Sequence, residues 1–305
     1  LKKKIIGSYI TMKIIENNKI FAFDGANECV AEVEDGETLI FRTHDCFDDQ
    51  LSEEGSTIGS LNWDCINPAT GPAYVKNALP GDVLKVEILE ITLGKQGVMC
   101  ALPNNGVLGS LVKEESVKRL KVENGKVHFN EKIVFDTNTM IGVIGVAPEN
   151  GAINCGTPGN HGGNMDNKRI TEGATLYFPI FHKGAIFSLG DVHAAMGDGE
   201  IMVSGVEIAA DVKVKLSVIK GLSIETPMLE NDDICGVIYS DENIEQAVFY
   251  AVKIMNDIVQ EKLELSFNDA GMLLSAVGDL KFCQVVDPKR TVMMCIPKTI
   301  LSKLF

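Results

Sequence analysis

The chain lacks several features that would assign it quickly. Its eight cysteines (Cys29, Cys46, Cys65, Cys100, Cys155, Cys235, Cys283 and Cys295) include no CxxC pair, which excludes a thiolate zinc knuckle and a dithiol redox motif. With 305 residues the fold needs no disulfide staples, so the thiols are expected to be reduced, in a cytoplasm. No apolar run approaches the ~20 residues of a membrane-spanning helix. The opening LKKKIIGSYITMKII is basic but has no long apolar segment or small-residue cleavage site, so it is not read as a secretory signal; Met12 is a candidate start, with an upstream extension before it. There is no GxGxxG or Walker glycine loop, which argues against a nucleotide-binding domain. Nor is there a GxSxG elbow or a glycine segment suited to a Ser-Ser-Lys triad. Basic residues are scarce as well: Lys plus Arg is 28 against 42 for Asp plus Glu, a net charge of −14. That balance repels phosphate backbones and anionic bilayers, so neither nucleic acid nor a membrane surface is an expected partner.

What the chain does have is strand texture. From Lys19 to about Phe135, short apolar stretches such as KIFAFDG, CVAEVEDGETLIFRTHD and ENGKVHFNEKIVF alternate with Asp-Gly and Asn-Gly tips, the pattern of hairpins. In LPGDVLKVEILEI the apolar Val83, Val86, Ile88 and Ile91 break strict alternation, although the turn before them still favours a strand. Residues 148–170 have no period and many glycines, and read as a long functional loop. TLYFPIFHKGAIFSLGD then reads as a hairpin around His182-Lys183-Gly184, and EIMVSGVEIAADVKVKLSVIKG as further strand. Past Pro227 the period changes: Ile244, Ala247, Val248, Ala251, Val252, Met255, Ile258, Val259 and Leu263 share one helical face, with Ser240 or Asp241 as cap. A second helix is expected over 269–277, followed by strands LKFCQVV and TVMMCIP. The division that results is a β-rich region over 1–150, a β domain carrying the site loops over 151–226 and an α/β portion over 227–305.

The chemistry-bearing residues concentrate in two loops that flank the expected hairpin: His161 and Asp166 in one, Asp191, His193, Asp198 and Glu200 in the other. If strands that neighbour in sequence neighbour in space, both loops meet at one pocket. In an extended strand Asp191 and His193, two apart, point to the same face. Joined by a second histidine, they suit a zinc-like ion with one position left open for water. Against this stand blander readings, a surface Asp-x-His pair and a loop histidine between glycines. His44, Asp45, Asp48 and Asp49 could add ligands or be a solvated strand end; His128 and His182 read as surface residues, and Cys155 as an idle thiol.

RTHDCFDDQ (42–50), NPATGPAYVKNALPGDVLKVEILEI (67–91), MIGVIGVAPENG (140–151), GTPGNHGGNMDNKRITEGATLYFPI (156–180) and GDVHAAMGDGE (190–200) together resemble the acetamidase/formamidase family, in family order over nearly the whole chain. The resemblance implies hydrolysis of short amides such as formamide or acetamide by a cytoplasmic homo-oligomer that uses a divalent metal, with zinc expected. It also implies a mainly β fold with jelly-roll and barrel-like parts and a C-terminal α/β portion. By motif matching, Asp45, Glu149, His161, Asn164, Asp166, Asp191, His193, Asp198 and Glu200 fall at pocket positions. The roles expected are metal ligation by Asp45, His161, Asp191 and His193, proton transfer by Glu149, Asp166 and Glu200, and substrate binding by Asn164 and Asp198. The pocket is expected to be small. Met196 stands where the family pattern leads one to expect glutamine. Two rival readings are a metal-dependent hydrolase of another C–N bond and a non-catalytic metal or small-ligand binder on the same scaffold.

Overall fold

Strands dominate the computed structural model, which describes residues 12–305, and its α-helices lie near the C-terminus. The proposed N-terminal extension lies outside the described residues. The elements that position the site are β1 (Glu37–Arg42), β2 (Ala69–Val75), β3 (Val83–Leu93), β4 (Met140–Gly145), β5 (Gly162–Asn164), β6 (Thr175–Pro179), β7 (Phe187–His193), β8 (Glu207–Ile208) and β9 (Ala210–Ile219). They are followed by β10 (Ile234–Asp241), α1 (Ile244–Leu263), α2 (Phe267–Val277), β11 (Asp279–Gln284) and β12 (Arg290–Pro297).

Among the described residues, a nine-stranded sheet runs in the order Lys13–Ile15, β1, β9, β3, β6, Met228–Glu230, β10, β12, β11. An eleven-stranded sheet carries β8, β7, β4 and β5 side by side, with β2 also paired to β7. Neither order closes on itself. Alternation along the strands explains the layering, because successive side chains point to opposite faces. Leu176 and Phe178 of β6 join Leu189 and Val192 of β7 in the core between the two sheets. Tyr177, between them in sequence, instead packs with α1 and α2 on the outer face of the nine-stranded sheet. There α1 buries Ala247, Ala251, Met255 and Val259 at four-residue spacing, one face of a helix. Each large side chain buried this way contributes about 1.5–3 kcal/mol.

Three local expectations change. The run 175–193 is not a hairpin: β6 belongs to one sheet and β7 to the other. The chain crosses between them through Ala185 and Ile186, both in the left-handed region at φ 58° and 57°. Because both strands are wholly or largely buried, neither shows the half-polar alternation that marks a hairpin. The long loop contains a strand, β5, whose glycines pair with β4 through backbone alone. The cap of α1 is Asn243, whose side chain accepts from the N–H groups of Glu245 and Gln246; Ser240 and Asp241 are still within β10. The irregular alternation in β3 has a plain cause, a register shift opposite Lys213 and Val214 that leaves Leu89 exposed and moves the buried face onward by one.

Candidate active site

β4 lies between β5 and β7, and this is what unites the two loops. Val143 pairs with Gly190 and Ile141 with Val192, which sets Asp191 across from Gly142. Asp166 follows β5, its loop anchored where the Met165 N–H donates to the Gly142 carbonyl at 3.1 Å. Gly142 leaves the carboxylates their room: a Cβ there would stand 2.4 Å from Asp166 Oδ1 and 2.7 Å from Asp191 Oδ2 and would displace them. Asp166, Asp191 and Glu200 all have left-handed backbone, at φ 41°, 52° and 46°. Such conformations cost on the order of 1–3 kcal/mol each in non-glycine residues and gather at functional sites. Asp191 therefore reaches His193 from a kinked strand, not the extended one expected.

The imidazole of His193 is the centre of the group. Its Nε2 lies 2.9 Å from Glu207 Oε2, 3.3 Å from Asp191 Oδ1 and 3.9 Å from Asp166 Oδ1. Glu207 stands directly opposite His193 in the β7–β8 pair. Glu200 joins His193 and Glu207, and Cys46 joins Asp191 and Glu207, in groups whose ligand atoms lie within 4.8 Å of one another. All of these side chains are buried. Asp287, on the turn between β11 and β12, accepts a 3.0 Å hydrogen bond from Asn164 Nδ2. Gln284 holds that turn, its Oε1 accepting from the N–H groups of Val286 and Asp287.

Electrostatics follow from burial. Desolvation, then the charge of Asp191, pushes Asp166 up to about 7. Desolvation, with Asp191 nearby, likewise takes Glu207 up to about 8. Glu200 and Asp287 are raised well above the usual carboxylate range by burial and by the charge of Asp166. For His193 burial works the other way, but Glu207 and Asp191 outweigh it and hold the imidazolium well above its ordinary range. Both oxygens of Asp166, Oδ1 of Asn164 and Nδ1 of His193 have no hydrogen-bond partner among the described residues, and Glu207 Oε2 has only its ionic contact with His193. Leaving so many polar atoms dry costs several kcal/mol unless protons or a cation satisfy them. The nitrogen and oxygen donor set fits a divalent ion.

The other expected residues are placed as follows. His161 is buried and edge-on to Phe23 at 5.3 Å between ring centroids. Burial and the charge of Lys289 lower it to about 4. Among the described residues both its ring nitrogens lack partners, yet it is not in the mutually close ligand groups. Asp45 is buried and raised to about 6 by desolvation, and its Oδ1 accepts from the N–H groups of Phe47 and Asp49. Asp198 is an exposed residue paired in both oxygens with Arg169, at 2.8 and 2.9 Å, and with Lys168 at 3.2 Å. Its partners tie the 166–170 and 198–200 loops together. Glu149 is exposed on the turn after Pro148. Met196 is buried, its main chain clamped on both sides by Asn138.

Three cluster residues escaped the sequence reading, among them Cys46, which read as one more scattered thiol. Glu207 had a faint signal, a carboxylate inside the apolar run VEIAA; Asp287 had none beyond an ordinary Asp-Pro turn.

A profile of the acetamidase/formamidase family matches residues 23–154 and 149–253. The chain is 42% identical to an acetamidase from Bacillus halodurans over 95% of this chain and 99% of that one, with a TM-score of 0.93. It is 43% identical to a predicted acetamidase/formamidase from Thermoanaerobacter tengcongensis over 95% and 97% of the two chains, again at 0.93. A putative formamidase from Schizosaccharomyces pombe is 24% identical over 64% of each chain, so the match spans less than two thirds of that relative's length. On the breadth of the profile match and of the structural agreement, this chain belongs to the acetamidase/formamidase family.

Proposed function

We propose that the protein is an amidohydrolase that converts carboxamides to carboxylate and ammonia, RCONH2 + H2O giving RCOO− and NH4+. The observation that carries this reading is the buried group of Asp166, Asp191, His193, Glu200 and Glu207, four carboxylates gathered at one imidazole with several of their polar atoms unsatisfied. Family membership supports the same chemistry.

Asp191 and His193 are the ligand core for a divalent ion, zinc by its taste for imidazole and carboxylate. Glu207 joins them from β8, and the buried Asp45 and His161 are further ligand candidates. When bound, that ion supplies a Lewis acid for the amide carbonyl and the attacking water. Asp166, at about 7, is suited to take a proton from water and return it to the departing nitrogen, since efficient proton carriers have pKa values near the working pH. Glu200 is suited to the same duty on the outer side, and Asn164 Oδ1 to accept an N–H of the substrate amide. Glu149, exposed, is a weaker choice for this step. Asp198 contributes by fixing its loop against Arg169 rather than through a free carboxylate. Unpaired cysteines fit a reducing cytoplasm, and a homo-oligomer remains part of the proposal. No helix of the described residues is long and apolar enough to cross a membrane.

The test is ammonia release from formamide and acetamide by the purified full chain, with and without added zinc. Turnover is expected; its absence with every amide tried would favour a ligand-binding role instead.

A further inference from the structure

Glu200 has two neighbourhoods. On one side it touches the buried group through His193 and Glu207; on the other it lines a cavity of about 610 Å³. Gly205, another wall residue, packs directly on the His193 ring: a Cβ there would stand 2.4 Å from Nδ1. The cavity therefore adjoins the buried group, through Glu200 and across Gly205.

Its size and chemistry do not fit the shortest amides. Acetamide has four heavy atoms and displaces on the order of 100 Å³, whereas cavities of several hundred Å³ take much larger ligands. Its apolar walls are Met99, Phe129, Phe135, Met196, Met202 and Val206, while Asp136, Asn138, Asp198 and Ser204 supply a polar rim. The one basic wall residue, Lys168, is engaged by Asp198 at 3.2 Å. The wall carboxylates Asp198 and Asp136 are themselves in ion pairs, with Lys168 and Lys126, and burying an unpaired charge there would be costly. Thioethers are adaptable fillers, so three methionines suit chains of varied shape.

We propose that this cavity is an apolar acyl pocket and that the preferred substrates are primary carboxamides bearing an apolar group of about four to eight carbons. The inference rests on the amidase reading and deepens it. In this pose the acyl chain lies along Met196 and Val206, the carboxamide passes Glu200, and water attacks from the Asp166 side. Ammonia leaves with the proton that water gave up.

Ammonia release from a linear series, acetamide to hexanamide, tests this with the metal-supplemented full chain. Burying each methylene in such a pocket raises kcat/KM roughly fourfold, so hexanamide is expected to exceed acetamide on the order of a hundredfold. Met196→Gln and Phe135→Ser should flatten that slope, read as the ratio of the two substrates. Acetamide turnover with no gain along the series overturns the acyl pocket and leaves the amidase reading standing. If no amide is turned over, the amidase reading fails, and calorimetry with hexanamide then decides the cavity: no chain-length-dependent binding overturns it too.

Discussion

Two regions of the molecule, strands β1, β3 and β9 of the nine-stranded sheet and the middle of the eleven-stranded one, treat acidic side chains in opposite ways. Along the nine-stranded sheet, Glu87 lies between Lys85 and Lys215 at 3.3 Å each, Asp211 meets Arg42 at 2.8 Å, and Asp82 at the edge meets Lys220 at 2.7 Å. In the eleven-stranded sheet and the loops it holds, Asp166, Asp191, Glu200 and Glu207 gather around one imidazole with no Lys or Arg among them. Pairs of the first kind are worth about 0–1 kcal/mol each and decorate a surface. A buried set of the second kind costs stability and is kept for what it binds or does. The contrast separates scaffold from chemistry within one chain.

Breaking the second set should have the largest effect. Removing its centre with His193→Ala is expected to release the bound metal and lower ammonia production by on the order of a thousandfold; retained metal and activity would falsify the ligand role. Filling the gap behind the carboxylates with Gly142→Ala should cost on the order of a hundredfold in kcat, with a stability loss of about 1–3 kcal/mol by urea unfolding. An unperturbed kcat would mean the Asp166–Asp191 spacing is not critical. Asp287→Asn, which keeps the shape but weakens the hold on Asn164, should cost about tenfold.

A pH experiment sharpens the comparison further. Asp166 rises from 3.8 to about 7 and Glu207 from 4.5 to about 8 on folding. The folded state then binds more protons than the unfolded state across that window, so stability falls as pH rises from about 4 towards 8. Metal-free protein should accordingly melt a few °C lower at pH 8 than at pH 5 in scanning calorimetry, and a divalent ion should remove most of the difference. A flat profile without metal would count against the buried carboxylates. Smallest of all is Lys220→Ala at the nine-stranded sheet, expected to change stability by no more than about 1 kcal/mol and activity not at all.

Sequence and structure part company along the same line. Asp166, Asp191, His193 and Glu200 were legible because they sit in glycine-rich stretches where nothing else explains them. Glu207 was not, since its importance comes from standing opposite His193 across β7 and β8, a pairing no local pattern records. Asp287 arrives from the C-terminal α/β portion, whose turn reads as routine. The helices and terminal strands were legible from period alone, whereas the crossing at Ala185 and Ile186 was hidden by strands buried on both faces. Met196 was visible as an oddity, and the cavity beside it gives that oddity a use.

The central claim is that the unpaired carboxylates and His193 hold a catalytic divalent ion. Metal content per chain and ammonia release, followed together through removal by a chelator and stepwise return of zinc, test it most directly. The account predicts that both fall together and that activity returns in proportion as the metal approaches about one ion per chain. Full activity in protein stripped of metal would contradict it.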